Sequence, residues 1–458
     1  MDLLQEIQAV HKIRDPIYGY IWLTEDERQI IDDPLFQRLR RIHQLALTKY
    51  VYPAAEHSRF AHSLGVLQSA TNIFLEFFRS NPEADLWLGD NKDPLKSFKI
   101  LRFASLLHDI GHMPFSHGLE KAFLGEGLKH EHISKYIIEN YEPFTKIFKN
   151  NNISKPAEIS NLIAGQLRPA SRFLKRIISH EFDADRADYL LRDSYICGVE
   201  YGKYDYIRYS GSFKLIKTDE KPELAIEFGS IHLVESFLLA RYYYLMQVAF
   251  HRTRVGFDLA MEQYVDYLKE KNKLPKSGIS VGNDRVTEID FNLFPLFDDY
   301  KLFEIIKSDY LSDNKWAKIL MRQDHLRPIF DKEYDTPEFK NQYLVLIRLL
   351  EEEGLIENND YFLFEKNVPI HKLVLSSDEA DTERTPVVDK KRNNREIGDL
   401  LELSPIISEL SRNKSYIRRI YVTDEVMDKA IIAMEKFDQH FEELKRIEER
   451  SSKAGGPK

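Results

Sequence analysis

The chain has 458 residues, of which 43% are hydrophobic and 30% are charged, and its formal net charge is −9. This length allows one large domain and a smaller one, and the acidic balance argues against a general nucleic-acid binder. The single cysteine, Cys197, excludes a disulfide framework and cysteine-built zinc sites, so any metal ion must be bound by His, Asp or Glu. No apolar run has the length of a membrane span, and the first residues lack the pattern of a secretion signal. These features predict a cytoplasmic protein with no membrane partner.

The predicted elements begin with a short β-hairpin and continue as helices. Residues 11–23 combine an Asp-Pro pair and a glycine with β-prone residues, which predicts the hairpin. Helical periodicity follows in most segments from residue 26 to about residue 270 and again over 296–331, with a loop predicted at 275–287. This pattern predicts a mainly helical core.

The character of the sequence changes near residue 359. Strands are predicted at 360–364, 371–375 and 415–422, and a charged amphipathic helix is predicted at 425–450. The tail SSKAGGPK has the composition of a disordered segment. The chain is therefore predicted to have four parts: a hairpin segment at 1–25, a helical core at 26–331, a smaller C-terminal α+β lobe at 332–450, and a disordered tail at 451–458.

Histidine and aspartate stand side by side at His108 and Asp109, directly after the apolar run 100–107. The simplest interpretation of such a pair is a polar helix end followed by a glycine stop. Two other features favour a metal site, because His62 begins another apolar helix and the segment 183–193 contains four aspartates and two arginines. Imidazoles with carboxylates suit a divalent ion of intermediate hardness, namely Mn²⁺, Fe²⁺, Co²⁺, Zn²⁺ or Ni²⁺, with Mg²⁺ as a further candidate.

Helical spacing sorts the charged segment into faces. Asp185, Tyr189 and Asp193 are four residues apart and share one face, while Asp188 and Arg192 form a further pair at this spacing. A solvated face with salt bridges is the alternative interpretation. It accounts for the charges but not for a tyrosine between two carboxylates. A metal ion at this face would act as a Lewis acid and lower the pKa of bound water, which indicates hydrolysis.

Six motifs follow one another along the chain: DPIYG at 15–19, FQRLR at 36–40, QL at 44–45, RFAHSLG at 59–65, HDIGHMPFSH at 108–117 and DADRADYLLRD at 183–193. In this order they resemble the deoxynucleoside triphosphate (dNTP) triphosphohydrolases of the HD superfamily. The resemblance extends to the bacterial members and to the catalytic core of the vertebrate enzyme that joins a SAM domain to an HD domain. It implies a mainly α fold, with an HD-domain helical core and a smaller C-terminal α+β lobe.

The resemblance also implies a set of metal ligands, which are His62, His108, Asp109 and Asp185. Asp183 is the nearest alternative to Asp185, and helical spacing does not separate the two. The implied reaction is attack at the α-phosphorus of a dNTP, which releases a deoxynucleoside and intact triphosphate.

A proton-transfer group is needed beside the leaving 5′-oxygen of such a reaction. His130 matches the family's general acid, and histidine transfers protons near neutral pH. Glu131 is expected to orient His130 or to raise its pKa. The alternative is that this segment is only a polar run at the start of a surface helix.

The triphosphate and the deoxyribose need different side chains. The resemblance assigns basic residues to the phosphates, through charge-assisted contacts, and a tight sugar edge that excludes a 2′-hydroxyl. Glu120 is expected to support the site without touching the substrate. The expected substrate-binding residues are Arg59, His112, His117, Arg186, Arg241 and His251 for the phosphates, and Gln44, Leu45, Tyr189 and Asp193 for the sugar.

Members of this family are often homotetramers in which a nucleotide activator binds between subunits. An aspartate can accept hydrogen bonds from the N1–H and N2–H₂ groups of guanine, although the same aspartate suits an ordinary helix start. The arginine at position 14 departs from the asparagine common in the vertebrate relative, so the choice between GTP and dGTP stays open. The expected activator residues are Lys12, Arg14, Asp32, Gln37, Arg40 and Arg254.

Two other functions remain open from the sequence. An HD phosphohydrolase for another nucleotide would release orthophosphate or pyrophosphate in place of intact triphosphate. A nucleotide-sensing or nucleic-acid-binding protein would bind oligonucleotides in a salt-dependent way. The presence of all expected ligands together with His130 favours an active enzyme, and the net acidity makes nucleic acid the less favoured partner.

Overall fold

The structure is a computed structural model that describes residues 2–81, 93–115, 120, 123–125, 127–165, 172–217, 222–368, 385–392, 394–412 and 415–454. It confirms the predicted mainly helical fold. The α-helices are α1 (Leu3–Glu6), α2 (Glu25–Asp32), α3 (Pro34–Gln37), α4 (Arg59–Ser80), α5 (Pro94–Leu107), α6 (His130–Asn140), α7 (Glu142–Asn150), α8 (Ala157–Ile163), α9 (Arg172–Ile178), α10 (Ala184–Cys197), α11 (Tyr206–Ser210), α12 (Ile231–Tyr244), α13 (Arg252–Glu270), α14 (Asp299–Leu311), α15 (Lys315–Leu320), α16 (Pro337–Glu352), α17 (Leu400–Leu403), α18 (Pro405–Arg412) and α19 (Met427–Ala454).

The strands form small sheets. They are β1 (His11–Asp15), β2 (Gly19–Leu23), β3 (Phe213–Lys217), β4 (Pro222–Glu227), β5 (Ile279–Gly282), β6 (Arg285–Ile289), β7 (Leu326–Tyr334), β8 (Tyr361–Val368), β9 (Pro386–Asp389), β10 (Arg395–Asp399) and β11 (Ser415–Thr423). Strands β1 and β2 pair with each other, as do β5 and β6, and the two larger sheets have the orders β10-β9-β4-β3 and β7-β11-β8. All pairs are antiparallel except β4 with β9.

The chain divides into two compact units that are not continuous in sequence. The first unit contains Met1–Ala249, Leu268–Ile305 and Ile370–Arg412, and the second contains Phe250–Tyr267, Ile306–Pro369 and Asn413–Lys458. This differs from the predicted boundary at residue 331 between the helical core and the C-terminal lobe, because both units cross it. The reason is that β9 pairs with β4, which returns the segment after residue 385 to the first unit.

Some predicted elements are confirmed and others are wrong. The hairpin at 11–23 and the strands at 360–364 and 415–422 are present, whereas 371–375 lies outside the described residues. The predicted loop at 275–287 is a loop only up to residue 278, because β5 and the start of β6 follow and are joined by a tight turn at Asn283 and Asp284, both with positive φ angles.

Two further boundaries differ from the predictions. The helical prediction at 296–331 fails at its end, where β7 pairs with β11. The last helix continues to Ala454 beyond the predicted end at 450, and residues 455–458 lie outside the described part.

The core of the first unit surrounds α4. Its residues Val66, Leu67, Ala70 and Phe74 are fully buried, and the helix packs against both α5 and α10. A helix that is buried around most of its circumference belongs to the centre of a domain. The second unit has its own core, in which α16 and α19 cover the sheet β7-β11-β8. No helix in the described part of the chain has both the length and the apolar character required to cross a membrane.

The N-terminal hairpin is tied to the helical core through one aspartate. Asp15 Oδ1 accepts hydrogen bonds from the N–H groups of Ile17 (2.8 Å) and Tyr18 (3.0 Å), which closes the turn at Asp-Pro. Asp15 Oδ2 binds the guanidinium of Arg192, in α10, at 2.8 Å. The motif DPIYG therefore both makes the turn and anchors it on α10.

Candidate metal centre

The four predicted metal ligands meet at the ends of three helices in the first unit. His62 Nε2 lies 3.0 Å from Asp185 Oδ1 and 3.9 Å from Asp109 Oδ2. His108 Nε2 lies 3.4 Å from Asp109 Oδ1 and 4.0 Å from Asp185 Oδ1. His62, His108 and Asp109 are all buried, and each offers a ligand atom within 4.8 Å of the others. Residues that are far apart in sequence thus form one compact cluster.

Two glycines allow the helices to approach closely enough for this cluster. A β-carbon added at Gly65 in α4 would lie 1.9 Å from Asp188 Oδ1 in α10. A β-carbon at Gly111 would lie 2.4 Å from the carbonyl oxygen of His130, at the start of α6. Because both contacts are shorter than any real carbon contact, glycine is required at each position for the observed packing.

Hydrogen bonds on the outer side of each imidazole turn its Nε2 towards the cluster. His62 Nδ1–H donates to Asp188 Oδ2 at 2.8 Å, and His108 Nδ1–H donates to the Ser105 carbonyl oxygen at 2.8 Å. This is the arrangement in which histidine binds metal through one nitrogen while a carboxylate or carbonyl fixes the other. His108 Nε2 is buried and has no hydrogen-bond partner among the described residues. A metal ion would satisfy this nitrogen, so the donor set fits a divalent cation.

The geometry favours Asp185 over Asp183 as the fourth ligand. Asp183 is the N-cap of α10, where its Oδ1 accepts the N–H of Arg186 at 2.7 Å. Its Oδ2 accepts the N–H of His180 at 2.9 Å and forms an ion pair with the Arg186 guanidinium. Both oxygens of Asp183 are therefore used locally, whereas Asp185 points to the imidazole of His62.

Asp109 is held in its ionised form. Burial favours the neutral acid, but the interactions with His108, Arg59 and His112 outweigh burial and keep the pKa of Asp109 well below its usual value. The closest of these contacts is Arg59 NH1 to Asp109 Oδ2, at 2.5 Å. Arg59, which the sequence predicts as a phosphate ligand, thus also balances the charge of a candidate metal ligand.

A second group of buried side chains, Asp109, His112 and His130, adjoins the cluster. The imidazoles of His112 and His130 are stacked with ring centroids 3.7 Å apart. His130 Nε2 lies 3.7 Å from Asp109 Oδ1, and His130 Nδ1 lies 2.7 Å from Glu120 Oε1. Glu131 Oε2 is farther from the same nitrogen, at 3.5 Å. Of the two roles predicted for Glu131, the orienting hydrogen bond to His130 is made by Glu120, whereas the charge of Glu131 does raise the pKa of His130.

The pKa values of the two stacked imidazoles are shifted in opposite directions. Burial lowers the pKa of His112 well below its usual value, and the Arg59 charge adds to this effect. Burial opposes the charge on His130 as well, but the hydrogen bond that His130 donates to Glu120 and the charges of Glu131 and Asp109 raise the pKa of His130. Of this pair, His130 is the one suited to carry a transferable proton.

The turn that carries His112 is held from two sides. Arg38 NH2 donates to the carbonyl oxygen of His112 at 2.7 Å. Phe115 has a φ angle of 53°, a strained value for this residue type, and its N–H donates to Asp299 Oδ1 at 2.8 Å. Asp299 Oδ2 also accepts from the backbone N–H of His43 at 2.8 Å, next to the QL motif. A buried carboxylate that no motif marks thus connects two predicted substrate-binding segments.

The residues predicted for the sugar converge around Asp193. Asp193 Oδ1 pairs with His57 Nε2 at 2.7 Å, and Asp193 Oδ2 accepts the Tyr244 hydroxyl at 2.6 Å. The rings of Tyr189 and Tyr244 lie 5.4 Å apart, and the Gln44 N–H donates to the His57 carbonyl oxygen at 2.9 Å. Sequence reasoning missed His57 and Tyr244, and the only available signal was the position of His57 beside the RFAHSLG motif.

The other arginines predicted for the phosphates have carboxylate partners. Arg186 pairs with Asp183, and Arg241 pairs with Glu181. Both arginines lie in the same unit as the metal ligands. A bound phosphate would therefore have to share each arginine with its carboxylate partner or displace that carboxylate.

The remaining predicted residues have varied locations. Leu45 is buried in the core of the first unit, and His117 lies outside the described residues. His251 and Arg254 belong to the second unit, where Arg254 pairs with Asp258 at 3.1 Å. The roles of His117, His251 and Arg254 stay predictions.

The residues predicted to recognise a guanine base lie on the protein surface. The Asp32 side chain is 60% exposed and pairs with Arg28 at 2.9 Å. Arg40 Nε donates to Gln37 Oε1 at 2.8 Å, and the guanidinium of Arg40 covers the Phe60 ring at 3.5 Å. These three predicted residues therefore have solvent-side positions within one segment of the chain.

Lys12 and Arg14 lie on the outer face of the hairpin. The cations of both residues cover the Tyr20 ring, each at 4.9 Å from the ring centroid. His11 lies on the opposite face of β1, where it pairs with Glu25 of α2 at 2.8 Å. Because side chains alternate along a strand, Lys12 and Arg14 point away from α2.

We expect Asp188→Asn to weaken metal binding by roughly 10–100-fold, because Asp188 fixes the ring of His62 without being a predicted ligand. The measurement is a competition titration with a metal chelator. The control is Asp428→Asn, at an exposed position near the start of α19. Equal metal affinity in the folded Asp188→Asn variant and the unmodified protein would contradict this expectation.

Comparisons with known proteins agree with this centre. Residues 59–193 match the family model of the HD domain, and this range contains all four predicted ligands. The chain is 34% identical over 239 residues to the uncharacterized protein YwfO of Bacillus subtilis (strain 168), covering 52% of this chain and 51% of that protein. It is 31% identical over 265 residues to the deoxynucleoside triphosphate triphosphohydrolase SAMHD1 of Bos taurus, covering 51% of this chain and 44% of that protein.

The chain spans about half the length of the curated relatives it matches. Among solved structures, that of a hypothetical protein from Aquifex aeolicus has a TM-score of 0.72 at 24% sequence identity. The match covers 93% of this chain and 99% of that chain, and it shows a shared fold. The family match and the buried His/Asp cluster together show that the chain contains an HD domain suited to a divalent metal ion.

Proposed function

We propose that this protein is a metal-dependent triphosphohydrolase that cleaves a dNTP into a deoxynucleoside and intact triphosphate. The observation that carries this proposal is the position of His130 beside the cluster of proposed metal ligands. Its Nε2 lies 3.7 Å from Asp109 Oδ1, and Glu120 accepts a hydrogen bond from its Nδ1. A positioned proton donor next to a metal centre suits the release of a basic alkoxide. The likeness to bovine SAMHD1, named as a dNTP triphosphohydrolase, supports a dNTP as the substrate.

The proposed metal ligands are His62, His108, Asp109 and Asp185. A divalent ion held by them would supply a Lewis acid for the phosphate and would lower the pKa of the attacking water. The chain's own contribution is orientation, because Asp188 and the Ser105 carbonyl aim the two imidazoles.

The hydrogen bonds of His130 indicate which of its nitrogens can donate the proton that the leaving 5′-oxygen needs. The oxygen of water forms a bond to the α-phosphorus, and the bond from this phosphorus to the 5′-oxygen breaks. One proton of this water passes to the solvent, and the solvent returns a proton to His130 after it has protonated the 5′-oxygen, so that the protons balance. Since Glu120 occupies Nδ1, His130 protonates the leaving 5′-oxygen from Nε2. The products are then a neutral deoxynucleoside and triphosphate.

The test is product analysis with each dNTP in the presence of Mn²⁺ or Mg²⁺, in water enriched in ¹⁸O. We expect chromatography to show deoxynucleoside and intact triphosphate in equal amounts, with the ¹⁸O label only in the triphosphate. Orthophosphate or pyrophosphate as the product would instead support an HD phosphohydrolase that acts on another bond. Label in the deoxynucleoside would show attack at carbon and contradict the proposed step.

The proposal includes an activator site for GTP or dGTP in a homotetramer. Support comes from Asp32, which is exposed, and from Gln37 and Arg40, which are joined by a hydrogen bond. Lys12 and Arg14 point away from α2, the helix that ends at Asp32. A nucleotide site that combines the group around Asp32 with Lys12 and Arg14 would therefore lie at an interface where two protomers each contribute one of these groups.

We expect Asp32→Ala to raise the concentration of GTP or dGTP for half-maximal activation by roughly tenfold or more, because hydrogen bonds to a charged acceptor are lost. The measurement is the rate of triphosphate release as a function of activator concentration, with metal content as a check on the fold. Glu6→Ala, at another exposed carboxylate, is the control. Unaltered activation of Asp32→Ala would place the activator elsewhere.

A further inference from the structure

The hydrogen bond that orients His62 is one link in a longer chain of buried polar side chains. Asp188 Oδ2 accepts His62 Nδ1–H at 2.8 Å, and the same oxygen lies 2.9 Å from Arg192 Nε. One terminal nitrogen of Arg192 donates to Asp188 Oδ1 at 2.9 Å, and the other donates to Asp15 Oδ2 at 2.8 Å. All four side chains are buried. A continuous path of hydrogen bonds therefore leads from a proposed metal ligand to the N-terminal hairpin.

The pair of Asp188 and Arg192 is packed against the helix that carries His62. Both residues of the pair belong to α10 and are four residues apart, so they share one helix face. Gly65 lies one turn after His62 in α4, and a β-carbon there would collide with Asp188 Oδ1 and with a terminal nitrogen of Arg192. Because a side chain at position 65 would displace the pair, this glycine allows the pair to reach the His62 ring.

One guanidinium serves two buried carboxylates in this chain of side chains. Arg192 contacts both oxygens of Asp188, and its remaining terminal nitrogen binds Asp15. Since Asp15 shares the positive charge, Asp188 is neutralised less completely and stays a stronger acceptor for the His62 N–H. A stronger acceptor makes the imidazole a better metal ligand and holds its ring more firmly. The influence of Asp15 on His62 therefore passes through two other side chains.

Asp15 is also the residue that closes the turn of the hairpin. Its Oδ1 accepts the N–H groups of Ile17 at 2.8 Å and Tyr18 at 3.0 Å, while its Oδ2 binds Arg192. One carboxylate thus joins the turn to α10. Any movement of the hairpin away from α10 must therefore break the contact with Arg192 or open the turn.

We propose that the N-terminal hairpin is part of the metal centre, with Asp15 and Arg192 as positioning residues that act on His62 through Asp188. The docking of the hairpin on α10 then determines how tightly the ion is bound, although the proposed ligands all lie outside the hairpin. The inference rests on the four ligands of the proposed function and deepens it, because it names what controls their affinity. By thermodynamic reciprocity, the bound ion stabilises the docked hairpin by the same factor.

The experiment measures the Kd of Mn²⁺ by competition with a chelator in Asp15→Asn, Asp188→Asn and the double variant. Asparagine keeps an acceptor oxygen for the turn but removes the charge that faces Arg192. We expect Asp15→Asn to weaken metal binding by roughly threefold to tenfold, less than Asp188→Asn, because its effect on the ligand is indirect. In the double variant, Asp15→Asn should add little to the effect of Asp188→Asn, since the two residues act in series. The visible absorption of bound Co²⁺, which reports the geometry of the ligands, should shift in Asp15→Asn.

Glu25→Gln is the matched control. It removes another ion pair of the hairpin, from His11 to Glu25 at 2.8 Å, and this contact continues to Arg28 at the surface rather than to a proposed ligand. The Kd of Mn²⁺ and the Co²⁺ absorption should therefore stay unchanged. The inference is overturned by equal metal affinity of folded Asp15→Asn and the unmodified protein, by full additivity in the double variant, or by an equal loss of affinity in Glu25→Gln. If the unmodified protein binds no metal ion, the proposed centre fails first and the inference falls with it.

A second measurement needs only the unmodified protein, so it decides the matter if Asp15→Asn does not fold. Hydrogen exchange of the peptide that contains Ile17 and Tyr18 is followed by mass spectrometry with and without saturating Mn²⁺. Exchange should be slower with the ion by roughly threefold to tenfold, the factor that reciprocity requires. The hairpin of β5 and β6, which lies in the same unit, is the internal control and should exchange at the same rate in both samples. Unaltered exchange of the N-terminal hairpin in the metal-bound protein would show that its docking is independent of the metal centre.

Discussion

His108→Ala is expected to remove the metal ion and to lower kcat/KM by roughly 10³-fold or more, since the Lewis acid contributes several kcal/mol to stabilising the transition state. His108 Nε2 is a buried nitrogen for which the described residues provide no hydrogen-bond partner. The hydrogen bond that orients its ring goes to the Ser105 carbonyl, so its loss leaves no buried charged group without a partner. Asp109→Ala is a less informative variant, because it would also leave the buried Arg59 guanidinium without its carboxylate.

Two measurements separate metal loss from unfolding. Metal content after dialysis should be stoichiometric in the unmodified protein and near zero in His108→Ala. Added Mn²⁺ should raise the melting temperature of the unmodified protein, since a ligand that binds the folded state stabilises it, and should leave the variant unchanged. His232→Ala, at a histidine whose side chain is 93% exposed, is the control and should behave like the unmodified protein. Metal-dependent turnover in His108→Ala would remove this centre as the site of reaction.

The set of candidate metal ligands was predicted from the resemblance of the motifs to a known family, because residue types and local spacing alone indicated only a metal site. His62, His108, Asp109 and Asp185 stand in compact motifs, and the structure brings all four together. Helical spacing alone left Asp183 as an alternative. Only the hydrogen bonds of the folded chain show that Asp183 serves as a helix cap and an arginine partner.

The supporting contacts could not be predicted in the same way. Asp188 lies 126 residues from His62 in sequence, and Asp299 lies 184 residues from Phe115. Helical periodicity reports which side of an element is buried, but not which distant element covers it. Glu120 shows the same limit, because the adjacent Glu131 was the obvious partner for His130 in the sequence, whereas the shorter contact comes from ten residues away.

The division into units failed for a related reason. The pairing of β4 with β9 joins segments about 160 residues apart, and it returns residues 385–412 to the first unit. Each of these strands is short, and β9 follows a polar stretch, so neither gives a strong local signal. Elements with strong local patterns, such as the N-terminal hairpin and β11, were predicted correctly because turn residues mark the hairpin and several β-branched and aromatic residues mark β11.

His130→Ala is expected to lower kcat by roughly 10²–10⁴-fold, the usual contribution of general acid catalysis, while metal content stays unchanged. The metal is retained because His130 is not a predicted ligand, and its Nε2 lies 3.7 Å from Asp109 Oδ1. Glu120→Gln should lower kcat less than His130→Ala but more than Glu131→Gln, since the contact of Glu120 with His130 is shorter, at 2.7 Å against 3.5 Å.

A modified substrate can show whether His130→Ala has lost its proton donor or has a distorted site. A dNTP analogue with sulfur in place of the 5′-oxygen releases a thiolate, whose conjugate acid has a pKa of about 8.5, and this leaving group needs little protonation. The deficit of His130→Ala should therefore become much smaller with the sulfur analogue than with the natural dNTP. A variant that merely misplaces the substrate would be impaired equally with both compounds. Equal deficits would thus exclude His130 as the acid, and the proton would have to come from another group in contact with the 5′-oxygen.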